Sequence, residues 1–200
     1  MLMKRYQHDK SSTSERRFRR VNFVLFALIV LINGYVLLAP LWPSVSFRIK
    51  AATTEQIPES SFADIDRSTN HLVIPSLRLD KPIYDNPDPK TLDLGLWLRP
   101  NTSTPDKGSN TVLSGHRWLY NNPSSAVFYN LDKVKQGDHV IMVWDGKIYV
   151  YVIGEIKTVL PTAIEVEDPT DNEQITLYTC TPLWTATHRL VLVGNLKEVL

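Results

Sequence analysis

An uncharged apolar run near the N-terminus constrains this chain more than any other feature of its sequence. The run covers residues 21–38, reads VNFVLFALIVLINGYVLL, and is followed by Pro40 and Pro43, which we expect to end a helix. As an α-helix its length would be roughly 27 Å, close to the hydrocarbon thickness of a bilayer. Four arginines come directly before it: Arg16, Arg17, Arg19 and Arg20. Since positive charge collects on the cytoplasmic side of a span, the pattern predicts a cytoplasmic N-terminus.

Two other interpretations of the run fit less well. The flanking arginines disfavour a buried core helix, and a cleaved signal peptide would have a shorter apolar region with small residues at the cleavage site. The segment 39–42, Ala-Pro-Leu-Trp, is a poor match to such a site. We therefore predict an uncleaved single-span anchor in the cell membrane, with the remaining chain outside the cell. The predicted parts are a cytoplasmic tail (1–20), a signal anchor (21–42), an extracellular linker (43–70) and a folded domain (71–200).

The charge distribution supports this division. Residues 1–20 hold seven basic and two acidic groups, a net charge of +5, whereas residues 51–200 hold 13 basic and 19 acidic groups, a net charge of −6. A nucleic-acid-binding domain is usually basic, so we expect no nucleic-acid partner. The single cysteine excludes an internal disulfide framework and a cysteine-rich zinc module.

Short apolar runs alternate with turn residues from His71 onward, a pattern typical of an all-β domain. We predict strands over 72–74, 78–83, 111–114, 140–144, 147–153, 156–159, 175–180 and 189–196. Asp145-Gly146 is a strong hairpin signal between two of them. One helix is predicted, over Ser124–Val134, because its apolar residues recur at helical spacing. Many strands with few helices favour a closed or nearly closed barrel.

Three residues can carry chemistry. Cys180 ends one predicted strand and Arg189 begins the next, so a hairpin would place them opposite each other. His116 follows a strand that breaks at Gly115. A thiolate attacks carbonyls, an imidazole transfers protons, and a guanidinium stabilises an oxyanion. Each residue alone also has a simple interpretation: an inert cysteine, a loop histidine and a surface arginine.

Two motifs among these residues resemble those of the sortases, the membrane-bound cysteine transpeptidases of bacterial surfaces. The run 176–180, TLYTC, with Arg189 nine residues on, resembles the family's cysteine motif, and 113–117, LSGHR, resembles its histidine motif. The likeness covers roughly residues 70–197. It implies an eight-stranded sortase-type β-barrel with one or two short helices, preceded by the single transmembrane helix. The implied catalytic residues are His116, Cys180 and Arg189, with Thr179 lining the substrate groove and 161–174 as the specificity loop.

The resemblance also implies the partners. The donor would be a secreted surface protein with a C-terminal LPxTG-like signal, and the acceptor an amine of a peptidoglycan precursor. A pilin lysine as acceptor stays open, although the Asp-Pro-aromatic lid motif and the second span of pilin-polymerising enzymes are not found. A hydrolytic cysteine peptidase and a tethered binding module are further alternatives. We expect no cofactor and no metal, although Glu165, Glu167 and Asp168 are a possible ion-binding set.

Overall fold

The computed structural model describes residues 3–53 and 58–200, and the chain divides into two compact units, 1–42 and 43–200. In the first unit, helix α1 (Met3–Leu38) ends just before Pro40, and a 3₁₀ turn follows over Ala39–Leu41. The apolar side chains of α1 are exposed along the predicted span. By length and composition this helix can cross a membrane, and a signal sequence near the N-terminus would have the same length and composition.

Nearly all of helix α2 (Trp42–Thr53) lies in the second unit, in the segment that the sequence predicted only as a linker. Pro43 occupies its first turn, where a missing N–H costs no helical hydrogen bond. A 3₁₀ turn follows over Glu59–Asp64. Its Phe62 is buried among Val73, Ile141 and other apolar residues. The predicted linker therefore contributes a side chain to the packing of the barrel.

The rest of the unit is a closed barrel of eight strands, which confirms the predicted fold. The strands are β1 (His71–Ile74), β2 (Leu79–Tyr84), β3 (Leu96–Leu98), β4 (Asn110–Ser114), β5 (His139–Trp144), β6 (Lys147–Val159), β7 (Gln174–Thr181) and β8 (His188–Val199). Their order around the barrel is β1-β2-β3-β4-β7-β8-β6-β5, and β1 closes it by pairing with β5. Side chains on alternate positions, such as Leu72, Leu113 and Leu177, fill the interior.

Two features of the strand prediction needed correction. Strand β3 was missed because a run of three apolar residues is too short to show a period. The two strands predicted over 147–153 and 156–159 are one, β6, with a shift of register between Ile153 and Glu155. Gly154 lies at that shift, so the break seen in the sequence is a bulge. The Asp145-Gly146 hairpin is confirmed, and both residues have the positive φ of a type I′ turn.

The predicted helix over Ser124–Val134 is wrong. The segment forms two 3₁₀ turns, Pro123–Ser125 and Leu131–Lys133, joined by an irregular stretch. Phe128, Leu131 and Val134 are buried and Val127 is partly buried, but the Phe128 N–H donates to the carbonyl oxygen of His116 at 3.1 Å. That tertiary bond replaces the bond to residue 124 that an α-helix requires.

Candidate active site

Cys180 and Arg189 are direct partners in the antiparallel pair of β7 and β8. The pairing continues for one more step, to Thr181 and His188, so the connecting loop is six residues, 182–187. Cys180 is a free thiol of intermediate exposure. The sequence therefore predicted correctly that the sulfur and the guanidinium would lie at the same end of one hairpin.

His116 reaches the same end through β4, which runs parallel to β7. The last paired residues are Ser114 and Tyr178, and the Gly115 N–H then donates to the Tyr178 carbonyl oxygen at 3.3 Å. His116 follows at once. Parallel strands end at the same edge of a sheet. The end of β4 therefore lies beside Tyr178, and Thr179 and Cys180 follow directly on β7. The histidine and cysteine motifs are thus neighbours in space.

Gly115 allows this approach. A Cβ atom at this position would lie 2.7 Å from Cγ2 of Val127 and 2.8 Å from Cδ2 of Phe128. The segment carrying these two residues therefore packs directly onto the backbone before His116. The bond from the Phe128 N–H to the His116 carbonyl oxygen holds the histidine backbone from the same side.

Thr179 is 2% exposed, and its hydroxyl donates to the carbonyl oxygen of Gly115 at 2.8 Å. Thr179 borders the groove described below, but its hydroxyl bonds to the backbone of the loop that carries His116. The predicted substrate-lining role therefore stays a prediction, and the observed contact ties β7 to the end of β4. Tyr178 and Cys180, one position to either side of Thr179, point to the other face of the strand.

The imidazole of His116 has an acidic partner that no sequence pattern indicated. Its Nε2 lies 2.9 Å from Oδ1 of Asp93, in a side chain that is 62% exposed. Asp93 ends a 3₁₀ turn, Pro89–Asp93, which Asp88 caps by accepting from the Lys90 N–H. The side-chain amide of Asn122 donates to the Asp93 carbonyl oxygen at 3.1 Å. A carboxylate in this place orients the ring and favours a proton on Nε2.

The guanidinium of Arg189 lies over the β7–β8 loop. Its Nη1 donates to the carbonyl oxygens of His188 and Ala186, at 3.2 and 3.4 Å. Nε and Nη2 carry further donors, which can bind a carbonyl oxygen or an oxyanion of a substrate. His188, which follows the loop, is not among the residues that border the groove.

All three predicted catalytic residues border one groove with a volume of about 480 Å³. Its remaining wall is mostly apolar and comes from the regions around β3 and the β6–β7 loop; the apolar members are Leu92, Trp97, Pro161, Ala163, Ile164 and Val166. Within the described parts of 43–70, no residue borders it. An extended peptide with small or apolar side chains fits such a groove.

The β6–β7 loop forms one wall of the groove, and the side chains of Arg99, Tyr178 and Asn110 bond to it. Oε1 of Glu167 accepts from Nε of Arg99 at 2.8 Å and from the Tyr178 hydroxyl at 2.6 Å. Burial, followed by the bond to Glu167, raises the pKa of Tyr178 well above its usual range, so the phenol remains a donor. The side-chain amide of Asn110 donates to the carbonyl oxygens of Val166 and Asp168.

The acidic residues of this loop do not form a cluster suited to a metal. Glu167 already accepts two hydrogen bonds, and the described residues contain no group of three or more histidine, cysteine or carboxylate side chains placed around a common point. The loop is held by an arginine and a tyrosine instead.

A family model described as the sortase domain matches residues 72–197, which is more than half of the chain. The chain belongs to the sortase family. Curated relatives include sortase A of Listeria monocytogenes, 28% identical over 145 residues that make up 72% of this chain and 64% of the relative. Sortase SrtE1 of Streptomyces coelicolor is 31% identical over an alignment of 145 positions, which covers 64% of this chain and 40% of that protein. This sortase thus spans less than two thirds of the length of these curated relatives.

Solved sortase structures share the fold. The Listeria sortase A structure superposes with a TM-score of 0.58 at 27% identity, covering 67% of this chain and 90% of that one. Sortase C of Streptococcus pneumoniae gives 0.58 at 27% identity, with coverages of 74% and 76%. The Streptomyces coelicolor sortase E1 structure, described with a tripeptide in its active site, gives 0.57 at 29% identity, with coverages of 66% and 88%. Relatives of types A, C and E match equally well, so similarity alone does not assign this sortase to a type.

The sequence pointed to the thiol, the imidazole and the guanidinium that border the groove, and their catalytic roles stay a prediction. It did not point to the residues that hold His116 and the groove wall in place. Asp93 belongs to no motif, and nothing in its surroundings indicated a histidine partner. Tyr178 was seen only as one residue of the cysteine motif, and Arg99 belongs to no predicted element or motif. The acidic side chain of Glu167 was noticed as a possible ion ligand, whereas the structure shows it bonded to these two residues.

Proposed function

We propose that this sortase is a cysteine transpeptidase that cleaves an LPxTG-like signal and transfers the new carboxyl end to an amine. One observation carries the proposal: Cys180 and Arg189 are direct partners at the end of β7 and β8, and both border one groove with His116. Family membership supports the same reaction.

In the first step the thiolate of Cys180 attacks the carbonyl carbon of the threonine in the signal. The C–N bond to the following glycine breaks, and His116 supplies the proton that the departing amine takes up. Arg189 donates hydrogen bonds to the oxygen that becomes negative in the tetrahedral intermediate. The product of this step is a thioester between Cys180 and the donor protein.

In the second step an amine attacks the thioester carbonyl carbon, and His116 accepts the proton that this amine loses. The C–S bond breaks, the thiolate of Cys180 leaves beside the reprotonated His116, and a new amide joins the donor to the acceptor. We propose an amine of a peptidoglycan precursor as acceptor. A lid before the barrel is typical of the pilin-polymerising enzymes, and no described residue of 43–70 borders the groove. This supports a peptidoglycan acceptor over a pilin lysine.

We also propose that α1 anchors the enzyme in the cell membrane with the barrel outside. The four arginines before the apolar run and the opposite net charges of the two parts of the chain support this orientation. Protease added to intact cells should remove the barrel and leave the N-terminal tail, and protection of the barrel would overturn the orientation.

The reaction is tested with the full chain in detergent and fluorescence-quenched peptides that carry LPxTG with Ala, Asn or Glu at x. Mass spectrometry follows the thioester, and added triglycine separates transfer from hydrolysis. Cys180→Ala should abolish both the thioester and the ligated product. His116→Gln should lose at least about 100-fold in kcat, given the usual contribution of acid–base catalysis.

His188→Gln is the matched control, because this histidine lies on the same hairpin but outside the groove. Its kcat should stay within about twofold of the unmodified chain. Ligated product from Cys180→Ala would overturn the assignment of the nucleophile. Release of the hydrolysed peptide alone, at every triglycine concentration, would favour a hydrolytic peptidase instead.

A further inference from the structure

Arg117 is the residue immediately after His116, and its side chain is only 13% exposed. Its guanidinium joins two separate parts of the barrel. Nη1 donates to the hydroxyl of Thr181 at 3.0 Å, and Nη2 lies 3.1 Å from Oδ1 of Asp132. Thr181 is the residue immediately after Cys180, so this arginine links the positions that follow the proposed acid–base residue and the proposed nucleophile.

A second link joins the residues that come immediately before His116 and Cys180. The Thr179 hydroxyl donates to the Gly115 carbonyl oxygen, and these two residues, like Arg117 and Thr181, are 64 positions apart in the chain. The paired residues of β4 and β7 have this same offset up to Ser114 and Tyr178. Side-chain bonds therefore continue the strand register beyond the last ladder pair, and His116 and Cys180 lie between the two links.

A purely structural role for Arg117 would be the neutralisation of Asp132. The carboxylate of Asp132 already has another cation, because Nζ of Lys133 lies 2.7 Å from its Oδ2. What Arg117 alone adds is the bond to Thr181. A planar guanidinium holds two acceptors in a set geometry, which an ammonium group cannot do to the same degree.

We infer that Arg117 is a positioning residue, which keeps the imidazole of His116 in register with the thiol of Cys180 through its bond to Thr181. The inference rests on the proposed transpeptidase function. A misplacement of about 1 Å between reacting groups can cost as much as 100-fold in rate. Loss of this link should therefore lower kcat for thioester formation and leave substrate binding in the groove unchanged.

The test is a double-mutant cycle in the full chain, with the same three LPxTG peptides and triglycine. Thr181→Val removes the hydroxyl at nearly constant shape, and Arg117→Met removes the guanidinium. We expect each to lower kcat about tenfold or more with KM within about twofold. The double variant should be no slower than the slower single variant, since both changes break the same bond. Arg117→Lys should recover part of the rate lost in Arg117→Met.

Lys133→Met is the matched control, because Lys133 pairs with the same Asp132 but makes no contact with Thr181. Its kcat should stay within about twofold of the unmodified chain. Thr181→Val with unchanged kcat, or losses that multiply in the double variant, would overturn the inference. These results differ from failure of the proposed function, in which Cys180→Ala would still ligate. If Arg117→Met does not fold, Thr181→Val alone decides.

Discussion

The carboxylate of Asp93 lies 2.9 Å from Nε2 of His116, and the backbone carbonyl of the same aspartate accepts a bond from Asn122. Asp93 stands on the turn before β3, and His116 stands on the loop after β4. The proposed acid–base residue is thus oriented by a segment that comes 23 positions earlier in the chain. This contact leads to the first prediction.

Asp93→Asn keeps an acceptor beside the ring but removes the charge. Because the aspartate side chain is 62% exposed, we expect a loss of no more than about fivefold in kcat/KM, the equivalent of an exposed ion pair of up to about 1 kcal/mol. The difference from the unmodified chain should shrink at 1 M salt, where exposed charges are screened. An equal loss at low and high salt would show that the charge is not what matters.

Gly115→Ala tests the close packing behind the histidine. The added methyl group meets Val127 and Phe128 at less than 3 Å, so the segment or the His116 backbone must move. We expect a loss of about 1–3 kcal/mol in the free energy of unfolding and a fall in kcat of tenfold or more. Denaturant unfolding and peptide cleavage measure the two effects.

Gly154→Ala is the control for this substitution. A Cβ atom there would meet only the end of the flexible Asn195 side chain, at 3.1 Å, so the change in stability should be under about 1 kcal/mol. If Gly115→Ala is as well tolerated as Gly154→Ala, the contact with Val127 and Phe128 does not hold the histidine loop.

Tyr178→Phe should loosen the β6–β7 wall of the groove. The substitution removes the donor that lies 2.6 Å from Oε1 of Glu167 and leaves Arg99 as its other partner. We expect KM for the peptide to rise about threefold or more with kcat within about twofold, because the wall binds substrate away from the reacting atoms. Arg99→Met should act on the same carboxylate, so the two losses should be less than additive.

The exposed pair of Lys157 and Glu155 on β6 supplies the comparison. Its atoms lie 3.1 Å apart, and neither residue borders the groove. Lys157→Met should change neither KM nor kcat by more than about twofold. A kcat effect of Tyr178→Phe without a KM effect would contradict the proposed role of this wall.

Glu173 makes stability depend on pH. Burial raises the pKa of Glu173 from 4.5 to about 6, against the opposing effect of the Tyr151 hydroxyl, which donates to its Oε1 at 2.6 Å. The folded chain then binds this proton more tightly than the unfolded chain. Stability from this group is therefore present below pH 4.5, falls as the pH rises to about 6, and remains lower above it.

Glu173→Gln should remove this dependence. The difference between the folded and unfolded pKa of Glu173 corresponds to about 2 kcal/mol. Because the side chain is partly exposed, we expect Glu173→Gln to raise the free energy of unfolding at pH 7 by about 1 kcal/mol. Thermal unfolding from pH 4 to 7.5 measures the change, and Glu155→Gln, an exposed carboxylate, is the control. Identical pH profiles for Glu173→Gln and the unmodified chain would contradict the prediction.

Much of the fold was readable because its signals are local. The apolar run predicted α1, Asp145-Gly146 predicted the turn between β5 and β6, and alternation predicted most strands. The spacing of the buried residues over 124–134 was correct, but the helix prediction failed. The Phe128 N–H bonds to His116, and the local backbone bonds of the segment reach back three residues or fewer instead of the four of an α-helix. The spacing of side chains does not predict which carbonyl oxygen accepts the hydrogen bond of a given backbone N–H.

The sequence by itself determined the apolar helix, the barrel class, and the identity of the thiol, imidazole and guanidinium, because periodicity, turn residues and motifs are properties of neighbouring positions. The tertiary structure decided which groups support them: Asp93 beside His116, Glu167 between Arg99 and Tyr178, and Arg117 on Thr181. These contacts join segments that meet only when parallel and antiparallel strands pair in one register around a closed barrel. Register is set by the packing of the whole core, and no single segment contains it.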